Sequence, residues 1–156
     1  MTAENTIVQG NTAMNNIPEQ EKLVQVQNLK KYFPIKGGIL KRTIGHVKAV
    51  DDISFDVLKG ETLGIVGESG SGKSTMGRTV LRLLDPTEGK IIFKGDDISH
   101  LNNSKMRKYR RDMQMVFQDP YASLNQRMTI GELLTEPMYV HNLYNRAERN
   151  KRAVKL

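Results

Sequence analysis

The chain contains no cysteine, so disulfide bonds, thiolate metal sites and cysteine nucleophiles are all excluded. No apolar run approaches the ~20 residues that a membrane-spanning helix needs. The first 20 residues are polar and show no basic segment followed by an apolar one, which argues against a secretory signal. A hydrophobic fraction of 38% and a mean hydropathy of −0.50 are typical of a water-soluble protein. At 156 residues the chain is long enough for one domain with a buried core.

Positive charge is in excess, with 24 Lys and Arg against 17 Asp and Glu and a net charge of +7. The basic residues gather in two clusters, at residues 105–111 and 146–155. Such clusters can bind nucleic acid or an anionic membrane, or can simply be solvated helix faces. No zinc-finger, helix-turn-helix or RNA-binding aromatic signature accompanies them. We therefore favour solvated helix faces and expect no nucleic-acid partner.

The most informative segment is residues 67–75, which read Gly-Glu-Ser-Gly-Ser-Gly-Lys-Ser-Thr and match the phosphate-loop pattern G-x-x-x-x-G-K-[ST]. An apolar run at residues 62–66 precedes the pattern and helical spacing follows it, which is the strand–loop–helix context that such a loop requires. Its glycines allow successive backbone N–H groups to converge on phosphate oxygens at a helix N-terminus. Lys73 is expected to reach the β- and γ-phosphates, and the Ser74 hydroxyl to bind Mg²⁺.

Composition and periodicity also predict how the chain is organised. Residues 1–20, rich in Asn, Thr and Gln, are predicted to be a disordered leader. Predicted strands lie at residues 23–26, 47–50, 53–57, 62–66, 91–93 and 113–117. Helices are predicted at residues 73–84 and 103–111. A third helix is predicted to begin with a capping box at Thr129 and to end or kink at Pro137, and a fourth to begin at Arg146.

Several segments carry a resemblance to a known family. They are residues 31–38 (Lys-Tyr-Phe-Pro-Ile-Lys-Gly-Gly), 47–51, 67–75, 84–89 and 117–125 (Phe-Gln-Asp-Pro-Tyr-Ala-Ser-Leu-Asn). Together they resemble the N-terminal half of an ABC-transporter ATPase subunit, and more narrowly the second ATP-binding subunit of oligopeptide and dipeptide permeases. The resemblance implies an α/β fold, the N-terminal part of a P-loop NTPase core. A small antiparallel β region and the start of the helical subdomain would accompany it. The resemblance assigns residues 21–156 to the N-terminal part of an ABC ATP-binding domain, truncated before the signature motif and Walker B.

The same resemblance implies roles for individual residues. Tyr32 would stack on adenine, with Phe33 as the alternative. Gln118 would be the Q-loop glutamine, which contacts Mg²⁺ or the water near the γ-phosphate and acts with Lys73 in catalysis. The residues implied to hold Mg-ATP are Tyr32, Gly67, Ser69, Gly70, Ser71, Gly72, Lys73, Ser74 and Thr75, with Ser74 and Gln118 at the metal.

Other parts of the family pattern have no counterpart in this sequence. The family carries an acidic pair after a four-residue apolar strand, called Walker B, then a Leu-Ser-Gly-Gly-Gln-type signature and a later histidine. Asp119 is separated from its apolar run by Gln118, and Asp96–Asp97 follow a turn, so neither is taken as Walker B. We expect a chain that stops before these motifs, binds ATP, and hydrolyses it very slowly or not at all. The alternative is a nucleotide-binding fragment or truncated gene product without turnover.

The resemblance also implies a biological setting. Such a subunit powers the import of oligopeptides or dipeptides from the cytoplasmic face of the plasma membrane, as a peripheral protein. Its implied partners are a second ATPase subunit and transmembrane permease subunits, with a solute-binding protein acting indirectly.

Overall fold

The computed structural model describes residues 7–8, 22–38, 42–119 and 124–156. The chain divides into two compact units, Met1–Asn102 and Asn103–Leu156. In chain order the strands are β1 Ile7–Val8, β2 Lys22–Gly37, β3 Arg42–Leu58, β4 Gly64–Ile65, β5 Glu88–Phe93 and β6 Asp96–Asp97. The helices are α1 Lys73–Val80, α2 Asn103–Met106, α3 Ile130–Val140 and α4 Arg146–Ala153, with a 3-10 turn at Tyr109–Arg111.

The first unit is built on a four-stranded antiparallel sheet with the order β3-β2-β5-β6. β2 and β3 form a long hairpin, so the separately predicted strands at 47–50 and 53–57 are parts of one strand. β5 pairs with the first half of β2, and β6 pairs with the end of β5. The predicted strands at 23–26 and 91–93 are confirmed within β2 and β5.

The core of this unit is apolar and lies between the sheet and α1, which contacts β2 and β3. Its buried side chains are Val26, Leu29, Val50, Met76, Ile91, Phe93 and Ile98. Burying one such side chain stabilises the fold by about 1.5–3 kcal/mol. The packing of Met76 against this core therefore fixes α1, and with it the loop that precedes α1.

Three elements of the first unit have different bounds in the structure from those that the sequence predicts. The strand expected at residues 62–66 is only Gly64–Ile65, and it pairs antiparallel with Ile7–Val8. Those two residues belong to the predicted disordered leader, whose remainder lies outside the described residues. The helix expected at 73–84 ends at Val80 because Arg82 adopts a positive φ of 55°, which the α-helix does not allow.

The second unit is helical, and its two longer helices begin with capping boxes. Thr129 Oγ1 accepts from the backbone N–H of Glu132, and the Glu132 carboxylate accepts in return from the backbone N–H of Thr129. Asn145 and Glu148 make the same exchange at the start of α4. These caps satisfy backbone donors that have no partner inside the helix, and they confirm both predicted helix starts.

The sequence predicts that α3 ends or kinks at Pro137. The helix continues past Pro137 to Val140, so it does not end there. Two other predictions for the second unit are wrong. The helix expected at 103–111 is two short pieces, α2 and the 3-10 turn. Residues 113–117 form no strand, and Val116 is 94% exposed. A strand needs a neighbour for its backbone hydrogen bonds, and no strand of the described residues pairs with this segment. None of the described helices is long and apolar enough to cross a membrane.

Candidate functional site

The loop at residues 67–75 leaves β4 and turns directly into α1, which starts at Lys73. Gly70 and Gly72 have φ values of +82° and +92°, in the left-handed region that residues with a side chain rarely adopt. The backbone N–H of Ser71 donates to the carbonyl of Glu68, which tightens the turn. Sequence and structure therefore agree on a compact glycine-dependent loop at a helix N-terminus.

The side chain of Lys73 folds back into this loop. Its Nζ donates to the carbonyl oxygens of Gly67 at 2.6 Å and Glu68 at 2.5 Å, and it lies 3.4 Å from Ser71 Oγ. Lys73 is half-buried, so its ammonium is held at the mouth of the loop instead of extending into solvent. The positive charge therefore lies beside the backbone of residues 67–71, inside the loop.

The start of α1 is suited to an anion. Its N-cap residue is Gly72, which has no side chain to cap the first turn, and the first turn contains no acidic residue. The helix begins with a hydrogen bond from the Met76 N–H to the Gly72 carbonyl at 2.8 Å. Ser74 is exposed and Thr75 is half-buried in that turn. The partial positive charge of the helix N-terminus is thus available beside Lys73.

The other residues predicted to hold the triphosphate belong to the same loop, before the start of α1. Gly67, Ser69 and Gly70 are exposed, and Ser71 is half-buried. Gly72 lies against β3, because a Cβ at residue 72 would come 2.1 Å from the carbonyl oxygen of Ala49. The loop is thereby attached to the β2–β3 hairpin.

Tyr32, the predicted base-stacking residue, lies on β2 opposite Lys48 of β3. Its hydroxyl donates to the carboxylate of Asp51, and Lys48 Nζ donates to the same carboxylate at 3.1 Å. The hydrogen bond to Asp51 raises the pKa of the Tyr32 hydroxyl. The hydrogen bonds from Tyr32 and Lys48 lower the pKa of Asp51. Phe33, the alternative, is exposed, with Lys31 Nζ 5.0 Å from its ring centroid.

Sequence reasoning missed Arg82, which lies just after α1. Its side chain connects this part of the chain to the residues that follow β6. Its guanidinium donates to the carbonyls of Ile98 at 2.8 Å and Leu101 at 3.0 Å, and to Asp85 at 2.5 Å. The Arg82 side chain is only 4% exposed, and its hydrogen bond lowers the pKa of Asp85. These partners are distant in sequence, so no local pattern signals this role.

Gln118 belongs to the second unit, where it is exposed in an irregular segment beside the exposed Asp119. Residues 120–123 of the segment that carried the resemblance lie outside the described residues. Among the described residues, no group of three or more Asp, Glu or His side chains is arranged to hold a metal ion.

The family model described as ABC transporter matches residues 50–156 of this sequence. The chain belongs to the ABC transporter family.

Curated ABC relatives agree with that assignment. The chain is 56% identical over 138 residues to the oligopeptide transport ATP-binding protein AppF of Bacillus subtilis, covering 88% of this chain and 42% of AppF. It is 47% identical over 136 residues to the probable peptide ABC transporter ATP-binding protein y4tS of Sinorhizobium fredii, covering 87% of this chain and 38% of y4tS. It is 50% identical over 127 residues to the glutathione import ATP-binding protein GsiA of Escherichia coli, covering 81% of this chain and 20% of GsiA.

Solved ABC structures share the fold. The dimeric post-hydrolysis structure of the ATP-binding cassette MJ0796 with ADP and Pi aligns with a TM-score of 0.67 at 28% identity, over 85% of this chain and 54% of that one. The ADP conformation of the cassette MJ1267 aligns with a TM-score of 0.53 at 26% identity, over 84% and 45%. The predicted fold class, the N-terminal part of an ABC ATPase core, is confirmed. The chain spans less than half the length of the curated relatives described above.

Proposed function

We propose that the chain is the ATP-binding part of an ABC import ATPase for short peptides, and that residues 67–75 hold the triphosphate. The observation that carries the proposal is the placement of the Lys73 ammonium inside a glycine-dependent loop, at a helix start with neither a side-chain cap nor an acidic residue. The peptide specificity rests on the names of relatives that are 56% and 47% identical.

The residues present fit a nucleotide triphosphate with Mg²⁺. Backbone N–H groups of the loop and the first turn of α1 supply donors, and Lys73 supplies charge for the β- and γ-phosphates. The exposed Ser74 hydroxyl would supply one oxygen ligand for Mg²⁺, a cation that prefers oxygen ligands. We keep Gln118 as a second metal ligand and catalytic residue, and Tyr32 as the base-stacking residue. When bound, ATP supplies the free energy of phosphoryl transfer to water.

For the whole subunit, we propose the partners and the cellular location that family membership favours. A second ATPase subunit and transmembrane permease subunits would be its partners, with a solute-binding protein acting indirectly. Its place would be peripheral, at the cytoplasmic face of the plasma membrane.

Calorimetric titration of the 156-residue chain with Mg-ATP tests the binding function. We expect saturable binding by the wild-type chain and a loss of at least tenfold in affinity for Lys73→Ala. Lys59→Ala is the matched control, because Lys59 lies in an exposed turn after β3 and its loss removes the same charge. Equal affinities for both variants, or no binding by the wild-type chain, would contradict the proposal.

A separate proposal concerns turnover. Because no acidic pair of this sequence was matched to Walker B, which helps orient water and Mg²⁺ in the family, we propose that the chain alone binds ATP without appreciable hydrolysis and acts as a nucleotide-binding module. Phosphate release should stay below ~1 s⁻¹, the low end of ordinary enzyme turnover. A faster rate that Lys73→Ala abolishes would overturn this second proposal and leave the binding function intact.

A further inference from the structure

The β2–β3 hairpin extends well beyond the four-stranded sheet. β5 pairs with β2 only over residues 24–30, whereas β3 continues to pair with β2 as far as Gly37. Residues 31–37 and 42–48 therefore form a two-stranded ribbon, which we call the distal hairpin. Among the described strands, none pairs with the distal hairpin from outside. A ribbon of two strands covers little of its own surface, so its side chains are open to a partner.

Four apolar side chains share one face of the distal hairpin. Phe33 is opposite Val47, and Ile35 lies on the same face because side chains two positions apart in a strand point the same way. The register shift beside Ile35 leaves one extra residue in β3, and the side chain of that residue, Ile44, packs against Gly37. These four side chains, the apolar face, are 38–71% exposed. Clustered apolar exposure of this kind marks an interaction site.

The charge of the distal hairpin has one sign. Residues 31–48 contain five Lys or Arg and no Asp or Glu. Lys48 is paired with Asp51, but the exposed side chains of Lys36 and Arg42 have no ion-pair partner among the described residues. They belong to adjacent residue pairs at the end of the hairpin. Two unpaired cations thus stand beside the apolar face.

We propose that the distal hairpin binds the surface of an anionic phospholipid bilayer. Its apolar face would enter the boundary of the acyl chains, while the long side chains of Lys36 and Arg42 would reach the headgroup phosphates. Nucleic acid would use the two cations but leave the aliphatic side chains in water. A second copy of the chain would bring like charges together. The bilayer surface is the partner that satisfies both the apolar and the charged groups.

Co-sedimentation of the 156-residue chain with vesicles tests the charged part. We expect binding to an equimolar mixture of phosphatidylserine and phosphatidylcholine, little binding to phosphatidylcholine alone, and weaker binding as salt is raised. Each Lys or Arg at such a surface contributes about fivefold, so Lys36→Gln with Arg42→Gln should weaken binding by ~25-fold. The control is Lys59→Gln with Arg127→Gln, which removes the same charge at two other exposed sites and should change binding by less than ~3-fold.

A second pair of variants tests the apolar part. Ile44→Thr with Val47→Thr keeps β-branched side chains, which suit a strand, and removes apolar groups from the proposed contact. Each methylene removed from the lipid costs about fourfold, so binding should weaken by on the order of tenfold. The control is Val116→Thr with Val154→Thr, two side chains that are 94% and 89% exposed elsewhere. Circular dichroism should show the same fold for every variant, since all these positions are exposed.

Tryptophan fluorescence distinguishes entry into the bilayer from adsorption by charge alone. The chain contains no Trp, so Phe33→Trp introduces a single reporter on the apolar face. Its emission should shift to shorter wavelength when the phosphatidylserine vesicles are added. Phe117→Trp is the matched control, because Phe117 is also exposed but lies outside the distal hairpin, and its emission should not shift.

Several outcomes would overturn the proposal. They are no binding to the phosphatidylserine vesicles, equal binding to both kinds of vesicle, equal losses in a hairpin variant and its control, and unchanged emission of Phe33→Trp. Self-association without vesicles that Ile44→Thr with Val47→Thr abolishes would instead assign the apolar face to a second copy. No arm of the test contains nucleotide, so its failure leaves the proposed ATP binding intact, and failure of ATP binding leaves this inference intact.

Discussion

Gly72 lies so close to the carbonyl oxygen of Ala49 that a Cβ at residue 72 would be 2.1 Å from that oxygen. The contact joins the N-cap of α1 to the middle of β3, and so it joins the phosphate loop to the strand that also carries Lys48 and Asp51. Glycine meets two requirements here at once, the absence of a side chain and a φ of +92°.

Gly72→Ala should destabilise the chain because the new methyl group meets backbone that cannot move aside. The left-handed conformation alone costs a residue with a side chain about 1–2 kcal/mol, and the clash adds to this cost. We expect the free energy of unfolding in urea to fall by at least ~2 kcal/mol. Gly77→Ala is the control, since no atom lies near a Cβ there and alanine favours the helix by ~0.5–1 kcal/mol. Equal effects of both substitutions would refute the role of the Ala49 contact.

Arg82→Met should be destabilising because it removes the guanidinium donors to the carbonyls of Ile98 and Leu101, and the Ile98 carbonyl then keeps only the Leu101 N–H at 3.4 Å. A hydrogen bond from a charged group contributes about 1.5–3 kcal/mol, so we expect the two lost bonds to lower the free energy of unfolding by ~2–4 kcal/mol in chemical denaturation. Arg78→Met removes an exposed arginine from the last turn of α1 and should change stability by no more than ~0.5 kcal/mol. A similar small effect for Arg82→Met would show that its hydrogen bonds do not anchor the 98–101 segment.

Acid should destabilise the chain in part through Asp97. Hydrogen bonds from Ser99 Oγ at 2.6 Å and from the Ser99 backbone N–H at 2.9 Å lower the pKa of Asp97. A carboxyl group whose pKa is lower in the folded state stabilises that state above its unfolded pKa and loses this effect as pH falls through the folded value. The free energy of unfolding should therefore decrease from pH 5 toward pH 2, and less steeply in Asp97→Asn. Asp96→Asn removes a neighbouring charge without those hydrogen bonds, so an identical profile in both variants would exclude this cause.

The sequence predicted a glycine-dependent loop before a helix at residues 67–75 because the determinants of that geometry are local. The glycines and Lys73 lie within one nine-residue stretch, and the Lys73 ammonium contacts carbonyls five and six residues away. The capping box predicted at Thr129 is local for the same reason. Features of this kind depend on spacing along the chain, which a sequence displays directly.

The sequence did not predict features that depend on residues far apart along the chain, or it predicted them wrongly. The hydrogen bonds from Arg82 to the carbonyls of Ile98 and Leu101 join residues 16 and 19 positions apart in the sequence. The pairing of Tyr32 with Lys48 depends on the register of a hairpin whose strands contain several bulges. Residues 113–117 have an apolar strand pattern, but a strand also needs a neighbour, and the pattern does not say whether one is present.

Hydrogen–deuterium exchange of the wild-type chain, with and without Mg-ATP, tests triphosphate binding by residues 67–75 at the loop amides themselves. We predict slower exchange at the amides of residues 68–75 when Mg-ATP is added, with no such slowing in Lys73→Ala. Unchanged exchange at these amides in the wild-type chain, or equal slowing in the wild-type chain and Lys73→Ala, would contradict the claim that this loop holds the triphosphate.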